Sequence, residues 1–198
     1  MTGEDLRSEG PGFHKIVNQQ ANHLGSKRTM KEILYSKGDW IVHAQYGVGE
    51  VRGVDSKSLN GEEKRYLRVK TLDGEYWLPS DRTDVDYIRP VASSETFRGA
   101  MTTIRKEPEP LNGDHKVRAK EISAQLETGA LIRIARLIRD LYGRGRIDKL
   151  NMSEEDTYNR IRKRFIDEWV IAAGLAREEA EHRLDVALEL SVNKVIVE

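Results

Sequence analysis

Apolar residues fall into two rhythms along this chain. Between about residues 37 and 90 they occur in short β-rich runs cut by glycine pairs; from residue 93 they recur every third or fourth position. The first rhythm predicts strands. "WIVHA" (40–44) is the first, and "VGEVRGVDSKSL" (48–59) the second, with Gly53 placed to allow a bulge or sharp bend. Asn60-Gly61 supplies the left-handed pair of a tight hairpin turn. "KRYLRVKTL" (64–72) puts Tyr66 and Arg68 on one face and Leu67 and Val69 on the other. Asp73-Gly74 turns the chain into "EYWLP" (75–79), and "VDYIRP" (85–90) ends the series. Five short strands with two-residue turns predict a small, strongly bent β-barrel of the SH3 or Tudor type.

The second rhythm predicts helices. Phe97, Met101 and Ile104 stand at helical spacing, with Ser93 or Ser94 as N-cap. "EPEPLNGD" (107–114) breaks the pattern, because prolines and a glycine do not continue a helix. A helix comes next over 115–127, with a stop at Gly129. Another runs over 130–142, with Leu131, Ile134, Ala135, Ile138, Leu141 and Tyr142 as its apolar stripe. "MSEEDTYNRIRKRF" opens a further one, with Ser153 and Asp156 as a capping-box-like pair, and the last covers 175–190. The expected fold class is α+β as two domains, a five-stranded Tudor-like barrel followed by an all-α bundle of four to five helices. The expected boundaries are a disordered polar extension over 1–33, the barrel over 34–92, the bundle over 93–192 and a tail over 193–198.

Composition narrows the function. Of 198 residues, 33% are charged and 38% hydrophobic, and no run reaches the ~20 apolar residues that span a bilayer. The amino terminus has no apolar segment of a secretory signal, so a cytoplasmic location without membrane contact is expected. Cysteine is absent, which removes disulfides and thiol chemistry. The net charge is zero, but residues 114–150 carry +4 and residues 151–198 carry −4. A polyanion is therefore sought first in the middle segment, whose cations otherwise form a solvated helix face.

"VHAQYGVGEVRG" (42–53) has the look of a nucleotide loop, but the segment after Gly49 is rich in valine and glycine and ends in a hairpin turn. A dinucleotide loop needs a helix there, so Gly47 and Gly49 are assigned to turn and bulge positions, where φ is positive or two backbones pass closely. The histidines at 14, 23, 43, 115 and 182 are too scattered for a metal site, and no nucleophile motif occurs. The protein is expected to be no enzyme and to hold no cofactor.

"KGDWIVHAQYGVGEV" (37–51) resembles the opening of the CarD/CdnL family of bacterial transcription regulators, whose amino-terminal domain recurs in the transcription-repair coupling factor. Gly38, Asp39, Val42, Gly47, Val48, Gly49 and Val51 fit its pattern, while His43, Ala44 and Tyr46 replace the usual Tyr, Pro and His. "LNGEEKRYLRVK" (59–70) and "LETGALIRIARLIRDLYGR" (126–144) resemble later family segments. The resemblance implies docking on the RNA polymerase β subunit through the strand at 55–59, with Lys57, Ser58, Leu59 and Trp77 as contacts, although Trp77 is expected to pack on the barrel core in preference to shaping the docking face. It also implies weak, sequence-nonspecific contacts of a monomer with promoter DNA that tune the open complex. Lys116, Arg118, Lys120, Arg133 and Arg136 are the expected DNA residues. Many relatives wedge a tryptophan into the minor groove before the second bundle helix; here Asp114-His115 or Asn112-Gly113 stands there. Arg139-Asp140 reads either as part of the basic stripe or as an internal ion pair. A polymerase-bound adaptor that contacts a second protein instead of DNA is the alternative.

Overall fold

The computed structural model describes residues 35–59, 62–80, 87–127 and 129–193, apart from the side chains at 59 and 62. The extension 1–33, the Asn60-Gly61 turn and residues 194–198 lie outside the described residues. Five strands form one antiparallel sheet: β1 (Trp40–His43), β2 (Gly47–Leu59), β3 (Glu62–Thr71), β4 (Glu75–Pro79) and β5 (Ile88–Pro90), in the order β4-β3-β2-β1-β5. Its inner face buries Ile41, Val51, Leu67, Val69, Leu78 and Ile88. Each such side chain contributes roughly 1.5–3 kcal/mol.

The glycines do what the strand reading required. Gly47 has φ +77°, which favours a residue without Cβ. At Gly49 an added Cβ would stand 2.6 Å from a Val69 methyl and 3.1 Å from the Lys70 carbonyl, so β2 and β3 approach too closely there for any side chain. The β2–β3 register slips between Val51 and Gly53, the bulge expected at this glycine.

Five helices complete the chain: α1 (Ser94–Ile104), α2 (His115–Leu126), α3 (Leu131–Ile147), α4 (Met152–Ala173) and α5 (Arg177–Val192). The Ser93 hydroxyl caps α1 by accepting from the Thr96 amide, and the Asp114 carboxylate caps α2 through the Lys116 and Val117 amides. Two expectations need correction. Helix α3 runs past residue 142 to Ile147, because Gly143 sits under the Pro108 ring, where a Cβ would come within 2.3 Å, and so packs instead of breaking the helix. The capping box of α4 is Asn151 with Glu154, not Ser153 with Asp156. The bundle core centres on Phe97, Phe165 and Trp169, the rings of Phe97 and Trp169 stacked at 6.0 Å.

Sheet and helices belong to one compact unit and share a polar joint. Arg89 of β5 grips the buried Glu168 carboxylate with both terminal nitrogens, at 2.6 and 2.7 Å, and donates through Nε to the Gly129 carbonyl. The same carboxylate accepts from the Ala92 amide at 2.9 Å. Arg164 of α4 donates to the carbonyls of Ala44 and Gln45 in the β1–β2 turn. Lys163 reaches Asp73 at 2.6 Å across the same gap and Asp167 at 3.0 Å on its own helix.

Candidate protein and nucleic-acid interfaces

Strand alternation decides what the sheet shows to solvent. Tyr76 and Leu78 turn inward on β4, so Trp77 turns outward and is 42% exposed. The expectation that Trp77 packs on the barrel core is therefore corrected: alternation with Tyr76 and Leu78 puts it on the solvent face. Register places Arg68 opposite Trp77 and Lys57 opposite Lys64, on one face of the sheet. The Lys57 ammonium lies 3.6 Å from the centroid of the Trp77 ring, a cation–π contact worth about 0.5–1 kcal/mol at an exposed site. The Trp77 indole donates to Asp55 at 3.4 Å, and Arg68 approaches the same carboxylate at 3.5 Å. The result is a solvent-facing cluster of one large ring with charges around it. Ser58 is also exposed, while the side chain of Leu59 lies outside the described residues.

The backbone of β2 offers a second feature. Of β2, only Gly47–Glu50 pairs with strand β1, and the Val51 backbone bonds to Gly38 and Asp39. From Arg52 to Leu59, β2 has β3 along one edge and, among the described residues, no strand along the other.

The five residues expected at DNA divide in two. Lys116 and Lys120 on α2 and Arg133 and Arg136 on α3 are exposed. Arg118 is not a surface cation. It is 4% exposed; its Nε donates to Glu154, and its NH1 donates to the carbonyls of Asn112 and Gly113, at 3.0 Å for the latter. The guanidinium thus ties the loop before α2 to the first turn of α4. Burial pushes the Glu154 carboxyl up, but Arg118, the Asn151 amide and Arg144 outweigh it and hold the group below its ordinary value. A local pattern of basic residues cannot distinguish Arg118 from its exposed neighbours; the acid that claims it is 36 residues away.

The three-residue arginine stripe also breaks. Each three-residue step falls about 60° short of a full turn, so two steps carry the stripe from solvent to core. Arg139 is consequently 1% exposed, bonded to Asp140 at 2.7 Å and to Glu109 at 2.8 Å. The internal ion pair is the correct reading of Arg139-Asp140. Asp140 also accepts from the Glu109 amide, so the pair clips down the loop between α1 and α2.

The described residues hold no cluster of three or more potential metal-ligating His, Asp or Glu side chains, and no described helix is long and apolar enough to cross a membrane. The chemistry on offer is recognition: an exposed ring with charges on a sheet with an edge that no described strand covers, and exposed cations on two helices.

Comparison with known proteins agrees with that reading. Residues 35–92 match the CarD-like/TRCF RID domain, a type known for interaction with RNA polymerase, and residues 99–185 match the CarD C-terminal domain. A small β domain of the first kind followed by a helical domain of the second defines a transcription regulator. The chain belongs to the CarD/CdnL family. It is also similar to YdeB of Bacillus subtilis, a protein provisionally named a transcription factor, with 22% identity over 148 residues that cover 74% of this chain and 97% of that protein.

Proposed function

We propose that this regulator docks on the β subunit of RNA polymerase through β2 and the Lys57–Trp77 face, and modulates the stability of the open promoter complex through phosphate contacts from α2 and α3. On this reading residues 34–92 are the polymerase-binding part and residues 93–192 the DNA-facing part of a cytoplasmic monomer. The observation that carries it is the edge of Arg52–Leu59 that no described strand covers, beside an exposed tryptophan. An open edge extends a partner's sheet through main-chain hydrogen bonds, and the side chains next to it supply specificity. Lys57, Ser58 and Trp77 are the described contacts, with Leu59 completing the strand.

Lys116, Lys120, Arg133 and Arg136 carry the DNA contact, which is weak and insensitive to sequence because phosphates position a protein without identifying bases. Arg118 supports it from beneath by fixing the loop before α2. Binding of the whole protein to a purified β-lobe fragment tests the docking. Saturable binding lost in Lys57→Glu and in Trp77→Ala, with circular dichroism unchanged, is the expected result; equal binding by both variants overturns it.

A second reading keeps the docking but gives the helices a protein partner. The absence of tryptophan from residues 108–120 and the burial of Arg118 favour it. Salt separates the two, since each phosphate contact to duplex DNA adds about −0.9 to the slope of log K against log salt.

A further inference from the structure

Arg160 on α4 is exposed and makes no hydrogen bond or ion pair among the described residues. One turn on, Arg164 spends two donors on the carbonyls of Ala44 and Gln45, and no described carboxylate pairs with its charge. Burial and the neighbouring Arg160 charge both push the Arg164 guanidinium below its ordinary value. Two like charges side by side with no acid between them are an unfavourable arrangement for the free protein and a favourable one for an anion.

Two concave spaces meet at Arg160. One is a cleft of about 420 Å³ between the sheet turns and α4, walled by Tyr46, Leu72, Tyr76 and Arg164. The other is a groove of about 210 Å³ between α2 and α4 that contains His115, Ser123 and Ser153. Ser153, Thr157, Arg160 and Arg164 recur at helical spacing, so they form one stripe that joins the two spaces. The acids of the cleft are already engaged: Lys163 holds Asp73 and Asp167, and Glu75 turns toward Arg68 at 3.8 Å. Tyr46 lines the same cleft as the two cations, 51% exposed, its ring 4.6 Å from that of His43 and 4.7 Å from that of Tyr76. The Tyr76 hydroxyl is buried there without a hydrogen-bond partner among the described residues.

We propose that this stripe is a track for single-stranded nucleic acid, with Arg160 and Arg164 holding phosphates, Ser153 continuing the track, and Tyr46 stacking a base. An acidic peptide would use the cations, but a nucleotide uses both the cations and the exposed part of the Tyr46 ring in the same cleft. Arg164 keeps donors beyond the two it spends on the turn. The track is separate from the duplex contact assigned to Lys116 and Lys120, so either can fail without the other.

The test is fluorescence anisotropy with the whole chain, a labelled oligothymidylate, the same oligomer with abasic sugars, and a duplex. Arg160→Glu, at an exposed side chain that holds nothing in place, is expected to leave the fold intact and weaken oligothymidylate binding, making the salt slope shallower by about 0.7 per phosphate lost. Tyr46→Leu is expected to weaken the same binding roughly tenfold, the cost of one lost stacking contact, and to leave abasic binding unchanged. A Lys116→Gln, Lys120→Gln double variant is expected to lose duplex binding only. Absence of oligothymidylate binding by the unaltered chain, or equal binding by Arg160→Glu, overturns the proposal. So does a polyglutamate of matched charge binding as tightly with the same dependence on Arg160, which would assign the stripe to an acidic protein.

Discussion

Arg118 and Glu154 form a buried pair in which each partner is costly without the other. Removing one member of such a pair strands the other charge, at a cost of about 3–5 kcal/mol. Glu154→Ala also removes half of the α4 capping box, so its urea midpoint is expected to fall further than that of Asn151→Ala, which costs about 1 kcal/mol. Gly49→Ala is expected to destabilise strongly for a different reason, since its methyl group would meet a backbone carbonyl as well as Val69. His43 makes a residue-scale prediction about pH. Its Nδ1 accepts from the amides of Gln45 and Tyr46, at 3.0 and 3.3 Å, and burial first, then the Arg164 charge, holds its pKa below the ordinary 6.5. The unfolded chain therefore binds the proton more readily. Stability is fully present above about 6.5 and is lost as pH falls through that value toward the lowered one. Thermal midpoints measured from pH 7.5 to 5.5 should decline, and His43→Asn, whose amide oxygen can accept in place of Nδ1, should flatten the decline.

At the scale of elements, the chain is legible wherever local periodicity is in control. Leu67 and Val69 alternate with Tyr66 and Arg68, and the sheet buries the first pair and leaves the second toward solvent. Gly129 stops the chain before α3 because its φ of +59° suits glycine. The cap of α4 lies two residues before its expected place because Asn151–Glu154 and Ser153–Asp156 share one spacing. The choice between them rests on Arg118 and Arg144, distant cations that fix Glu154. Trp77 is equally illegible: with Tyr76 and Leu78 on either side of it, both faces of β4 carry apolar residues, and alternation alone does not say which face turns inward. The same limit applies to the cations. Lys116, Lys120, Arg133 and Arg136 are exposed, whereas Arg118 and Arg139 are buried against Glu154 and Glu109, acids 36 and 30 residues away.

At the scale of the molecule, the sheet and the bundle are joined by Arg89 and Glu168, a contact spanning 79 residues of sequence. Two indoles, Trp40 and Trp77, stand in the sheet and the third, Trp169, in the bundle core, so fluorescence and helical circular dichroism report on both halves. Their melting curves are expected to coincide in the unaltered protein. They should separate in Glu168→Ala, which leaves Arg89 and the Ala92 amide without their shared acceptor. Arg164 joins the halves in another way, by grasping carbonyl oxygens and not side chains. A grip on the main chain is indifferent to which residues supply it, provided the turn keeps its shape. His43, Ala44 and Tyr46, the substitutions that set this chain's opening apart from the family pattern, fall in or beside that turn. The fastening therefore leaves Ala44 and Gln45 free to change without loosening the architecture, whereas His43 holds the turn through its own ring nitrogen. Saturation mutagenesis scored by soluble expression should find Gln45 permissive and Arg164 intolerant.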